Sequence, residues 1–351
     1  MKKALCYEDV LLEPKLSDIN SRTDVDLGVD LGKVWSYPDR RDIEFALEVP
    51  IVSAPMDTVS GLSMAKTLHD FGGVATLHRY KSIEEQCDTI RELLVINPNI
   101  NVGASVGSTG NYFEDAAKAL AYGARFICID VAHGHHFLVR DAIKRLKGSF
   151  QVHVMAGNVA TREAYEDLSL WGADSVRCGV GGGSVCTTRI QTGHGVPGLQ
   201  TILDCAKTTI CPSKRAKIIA DGGLRTSGDI VKALAAGADL VMLGSILAGT
   251  SDSPGEVEEI DGKLYKKFRG MASYDAQNEW RGKANNVEGI STMIPYKGTT
   301  SEVLSGIKAG IQSGLSYSGA RTIKELQTNA TFIRQSVAGA RESSAHIGGL
   351  E

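Results

Sequence analysis

Short apolar runs recur along this chain, and most are followed by a small or polar residue and then by a segment whose apolar positions repeat every three or four residues. The runs are VPIVSAPMD (Val49 to Asp57), GGVATLHR (Gly72 to Arg79), INVGASVG (Ile100 to Gly107), FICIDVAHG (Phe126 to Gly134), VHVMAGNV (Val152 to Val159), DSVRCGVG (Asp174 to Gly181), AKIIADGG (Ala216 to Gly223) and ADLVMLGS (Ala238 to Ser245). Between them lie SIEEQCDTIRELLVI, NYFEDAAKALAYGA, TREAYEDLSLWGA and SGDIVKALAAGA, which have the spacing of amphipathic helices. Continuous apolar strands alternating with helices predict a parallel sheet covered on both faces, and eight such units predict closure into a (β/α)8 TIM barrel. A doubly wound open sheet is the rival arrangement. The glycines at 123, 172 and 237, each at the end of a helical pattern just before a strand, read as helix C-caps.

Two stretches fall outside the repeat. A long insertion, about 250–298, separates the eighth strand from a last helix expected over Ser301 to Ser316, and a loop of that length reads as a functional lid. The tail from Thr331, ending ARESSAHIGGLE, is small and polar and reads as a segment that orders against a neighbouring subunit. No low-complexity linker divides the chain, so residues 1–351 are expected to form one barrel domain.

Composition narrows the function classes. With 42% hydrophobic residues the chain can bury a sizeable core, and a net charge of -3 gives no general reason to expect nucleic-acid binding. Seven cysteines without CxxC spacing fit reduced thiols rather than a disulfide framework. Neither a secretory leader nor a membrane span is expected, and the compartment expected is the cytoplasm.

In a barrel, the residues just after each strand line the C-terminal mouth where active sites sit. Here they include Asp57, His78, Arg79, Asp130, His133, Asn158, Asp221, Gly222, Gly223, Gly244 and Ser245. They also include the loop of about 179–195, which opens CGVGGGSVCTTR from Cys178 to Arg189. Its glycines let the backbone approach a ligand closely. Inward carbonyls there could hold a monovalent cation. Cys186, beside Thr187, Thr188 and Arg189, is a candidate nucleophile, against the plainer reading of an inert packing thiol. The small residues of ADGG (Ala220 to Gly223) and LGS (Leu243 to Ser245) suit a phosphate, and Asp221 suits ribose hydroxyls. Together these point to a nucleoside monophosphate. His133, His135 and His136 lack the partners of a transition-metal site, so none is expected.

MDTV (Met56 to Val59), DVAHG (Asp130 to Gly134), AGNV (Ala156 to Val159), GVGGGSVCTTR, TGHGVP, ADGG, LGSILAGTSDSPGE, FRGM (Phe268 to Met271) and VEGI (Val287 to Ile290) run in order over nearly the whole chain. This series resembles the IMP dehydrogenase and GMP reductase family. The resemblance implies a barrel in which Cys186 attacks C2 of the purine to form a covalent adduct, with a nicotinamide cofactor stacked over that carbon. It places Ser53, Met56, Asn158, Gly183, Ser184, Asp221, Gly222, Gly223, Gly244, Ser245, Gly270, Met271, Ser273 and Gly289 around the substrate, and Asp130, Ala132, His133 and Arg79 around the cofactor. From the dehydrogenase branch it implies potassium on the carbonyls of Gly181, Gly183 and Cys186, capped by Glu342 to Ser344 of a neighbour. It also implies a homotetramer.

Two chemistries share that adduct. The dehydrogenase passes hydride from IMP to NAD and hydrolyses the adduct, whereas the reductase expels ammonia from GMP and takes hydride from NADPH. Dehydrogenases activate water with an Arg-Tyr pair in a longer lid and mostly insert CBS modules after the second strand. Here about twenty residues span that interval, and Gly270 to Glu288 contains no Arg-Tyr dipeptide. By resemblance to the reductase lid, Thr188 and Glu288 handle the ammonia. SAPMDTV, ADGGLRTSGD, GTSDSPGE and RESSAHI are closer to dehydrogenases, Asn285 and Asn286 stand where some reductases have a basic residue, and Arg79 replaces a usual lysine. The expectation is an NADPH-dependent GMP reductase, with a dehydrogenase lacking CBS modules as the alternative and a non-catalytic purine nucleotide binder as the third reading.

Overall fold

The computed structural model describes residues 3–37 and 39–343. Eight parallel strands close into a barrel: β1 (Ile51–Ser53), β2 (Val74–Leu77), β3 (Val102–Val106), β4 (Phe126–Asp130), β5 (His153–Val159), β6 (Ser175–Cys178), β7 (Lys217–Asp221) and β8 (Leu240–Leu243). Each pairs with its sequence neighbours, and β8 returns to β1 through Val241 opposite Ile51. All eight expected strands are present, and closure excludes the open sheet.

Helices α1 (Leu62–Asp70), α2 (Ile83–Ile96), α3 (Tyr112–Ala121), α4 (Phe137–Ser149), α5 (Arg162–Trp171), α6 (Gly198–Ala206) and α7 (Ser227–Ala235) cover the barrel. Their starts are set by local chemistry. At α2, Ser82 Oγ accepts from the Glu85 amide while Glu85 returns a carboxylate to the Ser82 amide, a reciprocal cap. Gly123, Gly172 and Gly237 take φ of +105°, +107° and +115°, the left-handed conformation expected at these helix ends. α2 alone joins β2 to β3, so no module is inserted there.

The stretch 250–298 is folded. An antiparallel ribbon of Glu258–Ile260, β9 (Lys263–Arg269) and β10 (Ser291–Pro295) carries α8 (Tyr274–Arg281) at its tip. α9 (Thr300–Tyr317) follows and packs on α7, where a side chain at Gly314 would meet Val231 at 2.6 Å.

One expectation needs correction. Within its described residues the tail does not wait for a neighbour: Phe332–Arg334 pairs antiparallel with Val10–Leu12 of the same chain, and Val337–Glu342 forms a further helical turn. Ser344 and the rest of the terminus lie outside the described residues.

The N-terminal segment supplies an element the repeat did not reveal. A hairpin of Val29–Ser36 and Arg41–Leu47 lies across the end of the barrel where the strands begin. Phe45 stacks on Phe126 with ring centroids 5.8 Å apart and meets His153 edge-on at 5.4 Å, both at the starts of their strands. That end is plugged, which leaves the other for ligands.

Candidate active site

At the C-terminal ends of the strands lies a cavity of about 250 Å³. Of the expected site residues it is lined by Met56, Asp130, Ala132, Asn158, Gly181, Gly183, Ser184, Cys186, Thr188, Asp221, Gly222, Gly223, Gly244, Ser245, Gly270, Met271 and Glu288. Residues from six strand ends and the lid therefore converge on one space.

Cys186 is half-buried on this wall, unlike the interior thiols. Burial pushes Cys128 up to about 11 and Cys178 well above the ordinary thiol value, so both stay protonated and inert. The Cys186 thiol donates to Thr188 Oγ1 at 3.2 Å, and the Thr188 hydroxyl donates to Glu288 Oε2 at 2.7 Å. Sulfur, hydroxyl and carboxylate thus form a continuous chain although Cys186 and Glu288 are far apart in sequence.

The backbone fixes that chain. The Thr187 amide donates to the Glu288 carbonyl at 2.8 Å, the Ile290 amide to Val185 at 3.0 Å, and the Glu288 amide to Ala272 at 3.0 Å. Segment 288–290 is therefore stitched between the cysteine loop and the strand-end turn at 270–272. Gly270 and Gly289 make this approach possible, since a Cβ on either would sit 3.2 Å from the Val185 carbonyl oxygen.

On the opposite wall, Arg177 is buried between two carboxylates. It bonds Asp130 Oδ1 at 2.5 Å and Asp221 Oδ2 at 3.0 Å. Burial works against its charge, but Asp221 and Asp130 more than offset this and hold its pKa well above the ordinary arginine value. Asn158 spends its amide hydrogens on Gly179 O at 3.0 Å and Asp221 Oδ2 at 2.7 Å. Arg79 donates to the Asp130 carbonyl at 2.9 Å. Arg177 was missed among the candidates, although an arginine inside the apolar run DSVRCG is itself a signal of a buried ionic partner.

Five expected residues do not line the cavity. Ser53 is fully buried and shares a 2.6 Å hydrogen bond with Ser60, so its hydroxyl serves the barrel interior. Ser273 caps α8 by accepting from the Ala276 amide, and Gly289 backs the stitched segment. Arg79 reaches the site through Asp130, and His133 is exposed beyond the wall. For the proposed potassium, the Gly183 carbonyl already accepts from the Cys186 amide at 3.1 Å, which leaves it one lone pair for an ion. Among the described residues no group of three or more His, Cys, Asp or Glu side chains could hold a metal.

The profile of the IMP dehydrogenase / GMP reductase domain matches residues 4–346. The chain belongs to the IMP dehydrogenase and GMP reductase family. Family relatives include GMP reductase 2 of Homo sapiens, 39% identical with 94% of each chain covered, and GMP reductase of Vibrio atlanticus (strain LGP32), 38% identical with 94% of each covered. Inosine-5'-monophosphate dehydrogenase of Nitrosopumilus maritimus (strain SCM1) is 32% identical, with 98% of each covered. A crystal structure of a cysteine-to-alanine variant of GMP reductase from Trypanosoma brucei, in complex with guanosine 5'-monophosphate, superposes with a TM-score of 0.88 at 29% identity, covering 99% of this chain and 98% of that one. The family is one of oxidoreductases, and this chain is an enzyme of that kind. Among the described residues no helix is long and apolar enough to cross a membrane.

Proposed function

We propose that this family member is a GMP reductase, which converts GMP to IMP and ammonia with NADPH as reductant. The observation that carries the reading is the Cys186–Thr188–Glu288 chain, which ends in a carboxylate inside the cavity. Departure of the 2-amino group requires a proton, and a glutamate linked to the attacking sulfur through one hydroxyl is placed to deliver it. Water activation is not provided in the same way. Arg281 and Tyr80 do approach each other, with the guanidinium 5.9 Å from the ring centroid, but neither lines the cavity.

The phosphate of the nucleotide sits on the backbone amides of Ser184, Gly222, Gly223, Gly244 and Ser245, where the small residues allow close approach. Asn158 and Arg177 both bond Oδ2 of Asp221, so Oδ1 is the oxygen offered to a ribose hydroxyl. Cys186 attacks C2 as its thiol proton passes through Thr188 to Glu288, giving a covalent adduct, and Glu288 returns that proton to the departing nitrogen as ammonia leaves. Once C2 has taken up a hydride, the C2–S bond breaks, which releases IMP and returns the Cys186 thiolate. Ala132 and Asp130, with Arg79 behind it, would hold the nicotinamide ring and carboxamide, and NADPH bound there would supply that hydride. The substrate-side residues Met56, Gly270 and Met271 close the cavity over the purine.

The dehydrogenase reading is supported by the similarity over 98% of each chain to the Nitrosopumilus enzyme and by the segments SAPMDTV, ADGGLRTSGD and GTSDSPGE. Purified protein given GMP with NADPH should lose absorbance in the reduced-nicotinamide band, and IMP with NAD should give none. Signal only in the second mixture overturns the assignment.

A further inference from the structure

α8 is the one helix of the lid, and it is fastened to the barrel at its last turn by two contacts of different chemistry. Arg269 of β9 bonds Glu279 at 2.5 Å and Asp57, after β1, at 2.8 Å. Beside this ionic fastening, Trp280 stacks face to face on Tyr80, with centroids 4.3 Å apart and planes 15° from parallel. Arg281 covers Trp280 at 4.2 Å from its centroid. Arg79 lies 5.6 Å from the Tyr80 ring and 5.7 Å from that of Trp280. Tyr80 belongs to the turn after β2 and Trp280 to the lid, so the stack exists only while the lid is down.

We propose that Trp280 is a positioning residue whose stack on Tyr80 clasps the lid shut and transmits lid position to the cofactor side of the cavity. The inference rests on the proposed reaction for its kinetic consequence but not for its structural one. The path is short. Arg79, flanking both rings, donates to the Asp130 carbonyl and lies 3.6 Å from its carboxylate. Asp130 lines the cavity and is bonded by Arg177. Opening the clasp therefore frees Arg79 and loosens the carboxylate that faces the cofactor, while the thiol and Glu288 stay stitched backbone to backbone. Aromatic stacking and guanidinium–ring attraction are each modest, so such a clasp holds the closed state by about one order of magnitude and still opens for exchange of ligands.

The test uses the full chain with Trp280→Ala, Trp280→Phe, Tyr80→Ala and the double alanine variant. Expected for Trp280→Ala is a rise of about tenfold in KM for NADPH, with kcat and KM for GMP within about threefold of wild type. Trp280→Phe restores most of the loss. Tyr80→Ala matches Trp280→Ala, and the double variant is no worse than either, since both break one contact. Two readouts need no turnover. Emission assigned to Trp280, taken as the difference between wild type and Trp280→Phe, shifts in Tyr80→Ala. Trypsin cleavage after Arg281 and Lys283 speeds up in both alanine variants. Losses that multiply in the double variant, or unchanged emission and cleavage, overturn the clasp. If GMP and NADPH prove not to be substrates, emission and cleavage still decide it, so the two proposals fail separately.

Discussion

The two ends of the barrel are built from the same eight strands and hold opposite contents. Where the strands begin, Phe45, Phe126 and His153 pack ring against ring beneath the N-terminal hairpin, and Phe45 is only 2% exposed. Where they end, Asp130, Arg177, Asp221, Asn158, Cys186, Thr188 and Glu288 face a cavity and bond one another. A strand side chain near its start is chosen for shape, and one near its finish for charge and reach. The contrast divides stability from reactivity within a single sheet.

Three substitutions test that division. At the mouth, Cys186→Ala should abolish turnover while calorimetry still shows GMP binding, and any remaining steady-state activity would remove the thiol from the reaction. Next, Glu288→Gln preserves an acceptor for Thr188 but cannot carry the proton, so kcat should fall by about 10²–10⁴ with little change in melting temperature. At the opposite end, Phe45→Ala should cost roughly 3–5 kcal/mol of unfolding free energy, read from denaturant midpoints, with kcat of the folded fraction unchanged. A large kcat loss there would show that the ends are not separable.

The smallest effect concerns pH. His78, just after β2, is held down to about 4 chiefly by burial, helped by Lys81. Its unfolded form takes up a proton near pH 6.5 while the folded form does not until near pH 4, so stability should fall as pH drops through that window. The full effect is roughly 3 kcal/mol. Burial also lowers His153, so His78→Leu should flatten the pH dependence of the unfolding midpoint without erasing it. An unchanged slope would mean that His78 does not titrate as its surroundings require.

Much of this was legible because periodicity reports local pattern. The eight strands, the helix-ending glycines and the loop at Cys186 all announce themselves within about fifteen residues of chain. The hairpin plug did not, since its function lies in Phe45 meeting Phe126 and His153, which only the closed barrel brings together. The same holds for Tyr80 and Trp280. At Ser53 the resemblance implies a substrate contact, while in the structure its hydroxyl is bonded to Ser60, a pairing that no local pattern announces. Arg177 was visible as a charge in an apolar strand, and its two carboxylates were both already named, but nothing in their spacing said that one side chain served both.

The stitching of residues 288–290 to the cysteine loop has a consequence for how such enzymes diversify. Because Glu288 is tied to Thr187 and Ala272 by main-chain bonds, the stretch from Tyr274 to Val287 hangs between two anchors that depend on no side chain. A substitution within it leaves the aim of the sulfur to those main-chain bonds. Divergent reactions can then share one nucleophile, since what varies hangs from a frame that does not.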